Sequence, residues 1–535
     1  MRLPSFVLVL GFALVATPAL ADKRFVQGKL VFVDEQDKQT PAVGLDIVCE
    51  ETGSSDTTNT DGLFKVSLPA ILLPGDRIRL QVQRPEWRIW QPLAGEVTIP
   101  ARPYEKMAVT VKLLEVGAKR LLSEAAIEQL LFDAARKSKE QVKADGRPAE
   151  IQLSRYVGEW AVQYGFAPEE VKAEVDQWIA KVEAKGDDLR RLALAEFAKG
   201  NFDRASDLAA EWAAYDDRNQ RAVEKGKQRP RADAIQAYRL AGDARYNDYR
   251  FENALEFYRK ALGVSSRKQS PTTWAAVQDD VGRAARELGV RAPGGAARQY
   301  LDESIGAHRA ALQVRTRELP QQWAESQSSL GLALQEQGSS SPGEAGRALL
   351  AQAAEAYRAA LEVYTRQRTP QQWGMIQNNL GAGLQEQGSR SAGEAGRELL
   401  AQAVEAYRAA LEAYTRQRTP QQWAMTQNKL GTALQDQANR SAGEAGRELL
   451  AQAVAAYRAA LEVYTRGRAP QHFAMIQNNL GTALEEQGDR SPGDASRVLR
   501  AQAAEAYSAA AEVSTQTSPW ILQYHTDSSN PTAGF

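Results

Sequence analysis

The 535-residue chain holds one cysteine, three histidines and five methionines, and each scarcity removes a class of protein. A single cysteine cannot close an intramolecular disulfide or build a cysteine-rich zinc or iron–sulfur site. His308, His472 and His525 lie far apart in the sequence, so no histidine pair has the one-turn spacing of a helical metal site. An excess of one charge is missing too. With 66 Lys+Arg against 67 Asp+Glu, there is no bulk electrostatic reason to hold nucleic acid or an anionic membrane surface. Phosphate-binding G-x-x-x-x-G-K-[ST], H-E-x-x-H, G-x-S-x-G and EF-hand loops are all lacking. The chain is therefore expected not to be an enzyme and to carry no cofactor or metal.

Long apolar runs are confined to the N-terminus. Arg2, the run Phe6–Val15 and the small-x-small string Ala19-Leu20-Ala21 have the layout of a secretory signal peptide. Residues 1–21 are read as that peptide, and the chain is expected to be exported, periplasmic or extracellular if its source is a Gram-negative bacterium. No later stretch reaches the roughly 20 apolar residues a membrane helix needs, so no span is expected after cleavage.

Residues 22–116 alternate with period two, at Leu30/Phe32, Ile78/Leu80/Val82 and Val109/Val111/Leu113, between turn clusters such as Gly53-Ser54-Ser55-Asp56. That pattern predicts short strands in a small β-sandwich. Pro41-Ala42-Val43-Gly44 followed by Thr60-Asp61-Gly62-Leu63-Phe64 resembles the carboxypeptidase regulatory-like (transthyretin-like) domain, which implies a non-catalytic accessory module. Cys49, in the apolar run from Leu45, reads as a buried small hydrophobe. Trp87, Trp90 and Tyr104 read as core aromatics, with a sugar-stacking platform as the alternative.

From residue 117 the period becomes helical. Ser123 and Pro168-Glu169-Glu170 mark helix starts, and residues 117–185 are read as a helical linker. The C-terminal part then repeats. Trp274, Trp323, Trp373, Trp423 and Phe473 occupy one recurring place, while Ala205, Ala254, Ser304, Ala353, Ala403, Ala453 and Ala503 occupy another at steps of 49 or 50 residues. Recurrence of this length with small residues at helical spacing predicts stacked helical hairpins, seven by this count.

Within one repeat the order Leu380-Gly381, Gly388, Ala403, Tyr407, Ala410-Leu411 resembles the tetratricopeptide repeat (TPR), and the string Asn378-Asn379-Leu380-Gly381 is similar to the kinesin light chain kind. The predicted fold is thus mainly α: a TPR α-solenoid preceded by the β-sandwich. Residues 186–268 are assigned to a degenerate and an ordinary unit, 269–518 to long units, and 519–535 to a truncated unit or tail. The family repeat has about 34 residues. The long units carry ten more between Gly388 and Ala403, which are expected to lengthen the second helix by roughly 15 Å. Thr369-Pro370-Gln371-Gln372 and Ser391-Ala392-Gly393-Glu394 read as capping boxes for the two helices.

The resemblance implies a ligand groove lined by the first helix of each hairpin. Its fifth, sixth and twelfth positions fall on Ser328, Ser329 and Gln335, on Asn378, Asn379 and Gln385, on Asn428, Lys429 and Gln435, and on Asn478, Asn479 and Glu485. Amide side chains offer donors and acceptors to an extended backbone. The expected function is a scaffold or adaptor that binds a protein or peptide there. The alternative is glycan or envelope recognition by the β domain, with the solenoid as spacer. The open C-terminal end of a repeat array also permits self-association.

Overall fold

The computed structural model describes residues 24–33, 39–69, 72, 76–82, 84, 87–91, 96–99, 109–115, 122, 124–141, 156–158, 160–162, 166–186, 188–223 and 232–517. The signal-peptide reading of residues 1–21, Ser123, Tyr104 and the tail from residue 518 all lie outside them. Two compact units result, Met1–Pro230 with Ser266–Thr273 and Arg231–Ser265 with Trp274–Phe535.

In the first unit, strands form where the alternation places them. One sheet holds β1 (Arg24–Val33), β2 (Gln39–Pro41), β9 (Val109–Glu115) and β7 (Trp87–Gln91), with β5 (Leu63–Leu68) also on β1. The other runs β4 (Ser55–Thr57), β3 (Asp46–Cys49), β6 (Arg77–Val82) and β8 (Glu96–Thr98). β1 pairs in parallel with β9, Leu30 opposite Val111, and antiparallel with β5, Val26 opposite Val66. The inward positions Val26, Leu30, Ile47, Cys49, Val66, Ile78, Leu80, Val111 and Leu113 are buried. Gly62 closes the Thr60-Asp61-Gly62 turn at φ +74°, and a Cβ there would strike the Leu30 carbonyl.

Cys49 is free and buried, and burial pushes its thiol up to about 12, so it is inert. Trp87 meets Phe32 with ring centroids 4.3 Å apart, a packing contact. The Trp90 side chain lies outside the described residues. Helices Glu124–Gln141 and Pro168–Lys185 follow the strands, the second with Pro at its start and Val171, Val175, Trp178 and Val182 buried. The degenerate first hairpin, Leu189–Ala198 and Phe202–Val223, belongs to this unit.

The second unit is a solenoid of hairpins, each an A helix followed by a B helix. The second hairpin is Ala232–Asn247 with Phe251–Val264, and the third Pro271–Arg291 with Gly294–Leu312. The fourth is Pro320–Ser340 with Gly343–Leu361, the fifth Pro370–Ser389 with Gly393–Ala413. The sixth is Pro420–Ala438 with Gly443–Leu461, the seventh Pro470–Asp489 with Gly493–Thr517. The glycine at the eighth position of each A helix leaves room for an aromatic of its own B helix. A Cβ on Gly381 would lie 2.9 Å from the Tyr407 ring, and one on Gly331 or Gly431 2.7 Å from Tyr357 or Tyr457. The third hairpin has His308 at this place, against Gly282. This glycine therefore admits a ring, whereas a Cβ on Gly388, the other repeat glycine, would meet the Leu400 backbone nitrogen of the B helix at 3.1 Å. Buried Ala353, Ala403, Ala453 and Ala503 pack between successive hairpins with Leu334, Leu384, Leu434 and Leu484.

The extra ten residues are helical, but they do not all go to the B helix. Compared with the ordinary second hairpin, the fifth extends its A helix by three residues beyond the repeat glycine and starts its B helix seven residues earlier, the connecting loop staying three residues long. At 1.5 Å per residue the arms gain about 4.5 and 10.5 Å. Capping boxes do not form. Thr369 is the A-helix N-cap without a side-chain cap bond; its hydroxyl instead accepts from the Thr365 amide at 3.1 Å, bracing the turn before the helix. Ser391 donates to the Gln387 carbonyl at 2.7 Å, so it closes the A helix and leaves the B helix uncapped by a side chain. The chain turns into the B helix through Gly393, whose φ of +63° suits glycine alone.

Candidate binding face

Because A-helix positions two, five, six and nine fall on one side of the helix, the predicted groove residues line up in columns from hairpin to hairpin. Their environments differ sharply along the array. In the third hairpin the columns hold Asp279, Asp280, Arg283, Arg286 and Glu287, and the solenoid turns these charges on one another. Arg239 and Arg283 each donate to Asp280 at 2.6 Å, and Arg283 also reaches Glu325 of the fourth hairpin at 3.2 Å. Arg286 pairs with Glu287, which also accepts from Arg291 at 2.6 Å. Beside them Asp279 takes His308 Nδ1 at 2.8 Å, Ser326 at 2.7 Å and the Arg315 guanidinium. Asp280 is 0% exposed. Each charge named here has an opposite charge beside it, although Arg283 Nε, His308 Nε2 and Arg315 Nε make no hydrogen bond among the described residues. The sequence reading did not carry the groove positions back to this hairpin, although the run Asp279-Asp280 with Arg283 and Arg286-Glu287 was its signal.

The fifth to seventh hairpins are different. The twelfth-position amides are engaged at both ends. Gln385 accepts from Tyr407 Oη at 3.1 Å and donates to Asp436 at 2.8 Å; Gln435 accepts from Tyr457 at 3.2 Å and donates to Glu486 at 3.0 Å. They tie B helix to A helix and each hairpin to the next. Burial pushes the Tyr407 and Tyr457 phenols far above their usual range, with the neighbouring acids adding to it, so they remain donors. Asn428 is 7% exposed and accepts from Asn479 Nδ2 at 3.1 Å, while Asn378 accepts from Thr426 at 3.4 Å. Among the described residues, the side chains of Asn379, Lys429 and Asn478 have no hydrogen-bond or ion-pair partner. Met375 and Met475, at the second position, are 44% and 41% exposed. The open face thus comprises Asn378, Asn379, Lys429, Asn478, Asn479 and the methionines.

Outside the groove columns, ladders of arginines join successive hairpins. Arg309, Arg358, Arg408 and Arg458 reach Gln352, Gln402, Gln452 and Gln502 of the following B helix at 2.8 to 2.9 Å. Arg317, Arg366 and Arg466 pair with Glu362, Glu412 and Glu512 at 2.6 to 2.8 Å, and Arg416 pairs with Glu462. Within single helices Glu405 meets Arg408 at 2.7 Å, and Arg397 pairs with Glu394. A third ladder was not foreseen. Arg390 donates to the Gly338, Ser341 and Ser339 carbonyls at 2.8, 3.0 and 2.6 Å, capping the preceding A helix. Arg440 and Arg490 repeat this one hairpin further each time.

Among the described residues no helix is long and apolar enough to cross a membrane, and no group of three or more His, Cys, Asp or Glu could hold a metal ion. No family model and no curated protein matches the chain. Solved structures of low identity do. The C-terminal part of a TPR repeat-containing protein from Cytophaga hutchinsonii is 13% identical, with 59% of this chain and 93% of that one covered and a TM-score of 0.37. BtubC from P. vanneervenii is 20% identical over 54% and 94% of the two chains, TM-score 0.30. The apo quorum sensor NprR from B. thuringiensis is 12% identical over 73% and 99%, TM-score 0.29. On the contacts of its own hairpins, this chain is a helical-repeat solenoid of TPR-like units with an N-terminal strand region.

Proposed function

We propose that the protein is an exported, non-enzymatic scaffold that binds an extended protein or peptide segment on the A-helix face of its fifth to seventh hairpins, the concave side in TPR arrays. The observation that carries this is the change of environment along the columns: charge-paired and mostly buried in the third hairpin, amide-lined with unpartnered side chains at Asn379 and Asn478 in the fifth and seventh. Open amides suit a peptide backbone, which needs donors and acceptors in alternation. Export rests on the N-terminal pattern of residues 1–21. Replacing Asn378, Asn379, Asn478 and Asn479 by Ala together, in the full chain, is expected to abolish capture of the partner from the native envelope fraction; unchanged capture refutes the face. Glycan recognition by the strand region would call for free aromatic faces, whereas Trp87 is in contact with Phe32.

A further inference from the structure

We propose that the loops leading into the fifth, sixth and seventh hairpins form a second binding edge, where the exposed arginines Arg368, Arg418 and Arg468 hold an acidic polysaccharide whose carboxylates recur at the hairpin spacing. This edge is separate from the A-helix face and does not depend on the reading of that face.

Each of the three arginines stands two residues before the proline that opens an A helix. Each is exposed, and its side chain has no ion pair or hydrogen bond among the described residues. The arginines two places earlier differ, since Arg366, Arg416 and Arg466 are bound to Glu412, Glu462 and Glu512. Glu362 is likewise held by Arg317. One uncompensated cation per hairpin therefore remains. A cation just ahead of a helix faces the positive end of its dipole, which disfavours it. Neither an ion pair nor the helix accounts for this row.

The loops hold the row in register. Thr365 Oγ1 accepts from the Arg368 amide at 3.3 Å and Thr415 Oγ1 from the Arg418 amide at 3.2 Å, while the Arg468 amide donates to the Thr465 carbonyl at 3.1 Å. Successive A helices touch, Gln385 meeting Asp436 and Gln435 meeting Glu486, and helices so packed stand about 8–10 Å apart. The row stops at the fourth hairpin, where the same place holds Glu318.

What surrounds the arginines selects the occupant. A DNA strand carries a phosphate about every 3.4 Å, far denser than this row, and readers of single strands stack bases on aromatic side chains. Protein interfaces are anchored by buried apolar and aromatic groups. Among the described residues no large apolar side chain is exposed in 362–373, 412–423 or 462–473. Exposed amides flank the arginines instead: Gln367, Gln371 and Gln372, then Gln417, Gln421 and Gln422. Amides both donate and accept, as sugar hydroxyls do, and a guanidinium takes a carboxylate through two parallel N–H donors. A polysaccharide with an acid on every second sugar supplies sparse carboxylates, many hydroxyls and no apolar anchor. Recognition here is by charge and amides, without ring stacking.

The test uses the full chain at low ionic strength, with hyaluronan, which has a carboxylate on every second sugar, as probe. R368Q/R418Q/R468Q exchanges exposed, unpaired side chains for amides, so folding is preserved. R397Q/R447Q/R497Q removes the same charge from the first turns of the B helices, where these arginines pair with Glu394, Glu444 and Asp494. The first variant should lose roughly tenfold in affinity, and the second should bind as the native protein does. E318R, which extends the row by one hairpin, should bind more tightly. Carboxyl-reduced hyaluronan should bind the native protein no better than hyaluronan binds the first variant. Absence of binding to hyaluronan, native affinity in the first variant, or equal losses in both triple variants overturns the proposal. Tighter binding of oligo(dT) or of phosphatidylglycerol vesicles, lost in the first variant alone, would assign the row to nucleic acid or to a membrane and overturn it too.

Discussion

Arg440 and Gly396 act as one device, and separating them gives a quantitative test of how the long hairpins are joined. Arg440, in the loop of the sixth hairpin, donates to the Ser391 and Ser389 carbonyls at 2.6 and 2.9 Å, where the fifth A helix ends. Helix ends leave carbonyls without partners, and a cation there also meets the negative end of the helix dipole. Charge-assisted bonds contribute about 1.5–3 kcal/mol each when protected. One of these two is exposed, so R440A is expected to cost about 2 kcal/mol. Gly396 makes the passage: a Cβ there would collide with Arg440 Nη1 and with the Ser391 carbonyl, and would lie 3.1 Å from the Gly388 carbonyl. G396A should therefore displace the guanidinium and lose most of the same contribution. Urea unfolding of the single variants and the double variant, with hydrogen exchange over residues 386–396, completes a thermodynamic cycle. The double variant should fall well short of the sum of the singles, by about 1 kcal/mol or more, and exchange should rise first at the fifth A-helix terminus. A cost below about 0.5 kcal/mol for R440A, or additivity within about 0.3–0.5 kcal/mol, refutes the device.

Other consequences are as specific. G381A pushes a methyl into the Tyr407 ring and should cost about 1–3 kcal/mol by overpacking, measured by the same unfolding; a neutral outcome would show that the ring has room to move. D279N leaves the buried Arg315 guanidinium only Glu325, at 3.6 Å, as counter-charge and should cost up to about 3 kcal/mol. Burial alone would raise the Asp279 carboxyl, but Arg315 and His308 outweigh it and hold it below the usual range. Its stabilisation is therefore present above the ordinary carboxylate range and is lost as pH falls through the lower folded value; D279N should flatten that acid limb of the stability curve. Glu51 behaves oppositely, burial raising its carboxyl to about 7 against the pull of the Arg79 amide. The folded strands should thus lose stability as pH rises from the unfolded value towards 7. Labelling of Cys49 as the strands open, compared between native protein and E51Q at each pH, reads this directly, and parallel profiles would exclude it.

The repeat was legible because it is a local code. Glycine at one place and an aromatic at another recur in sequence, and in the structure Gly381 and Tyr407 meet because the B helix folds back on its own A helix. Whatever depends on the next hairpin was not legible. Arg440 reads as one more loop arginine, since its carbonyl partners lie about 50 residues earlier. Gln385 reads as a ligand amide until Asp436 and Tyr407 are seen to occupy both its ends. Ser391 resembled the start of a capping box because a box is defined by spacing alone, whereas the hydroxyl closes the helix behind it and an αL glycine opens the one ahead. The three-and-seven division of the added residues likewise depends on where Gly393 turns, which composition does not state.

Those same inter-hairpin bonds decide where a ligand has room. A solenoid gains stability from each interface between neighbours, and polar groups in its groove either serve that interface or remain open to a partner. In the third hairpin three of the five groove charges serve the interface: Asp280 holds Arg239 of the hairpin before, while Asp279 takes Ser326 and Arg283 reaches Glu325 of the hairpin after. From the fifth hairpin onward that work passes to Gln385 with Asp436 and Gln435 with Glu486, one turn or more away from the fifth and sixth positions. Asn379, Lys429 and Asn478 are released from it. The fifth and sixth hairpins hold Asn379 and Lys429 at the same place, so one cation stands in that column. A charge that does not join hairpins and is partly withdrawn from water costs stability, so Lys429 adds nothing to the stacking that the neighbouring glutamines carry.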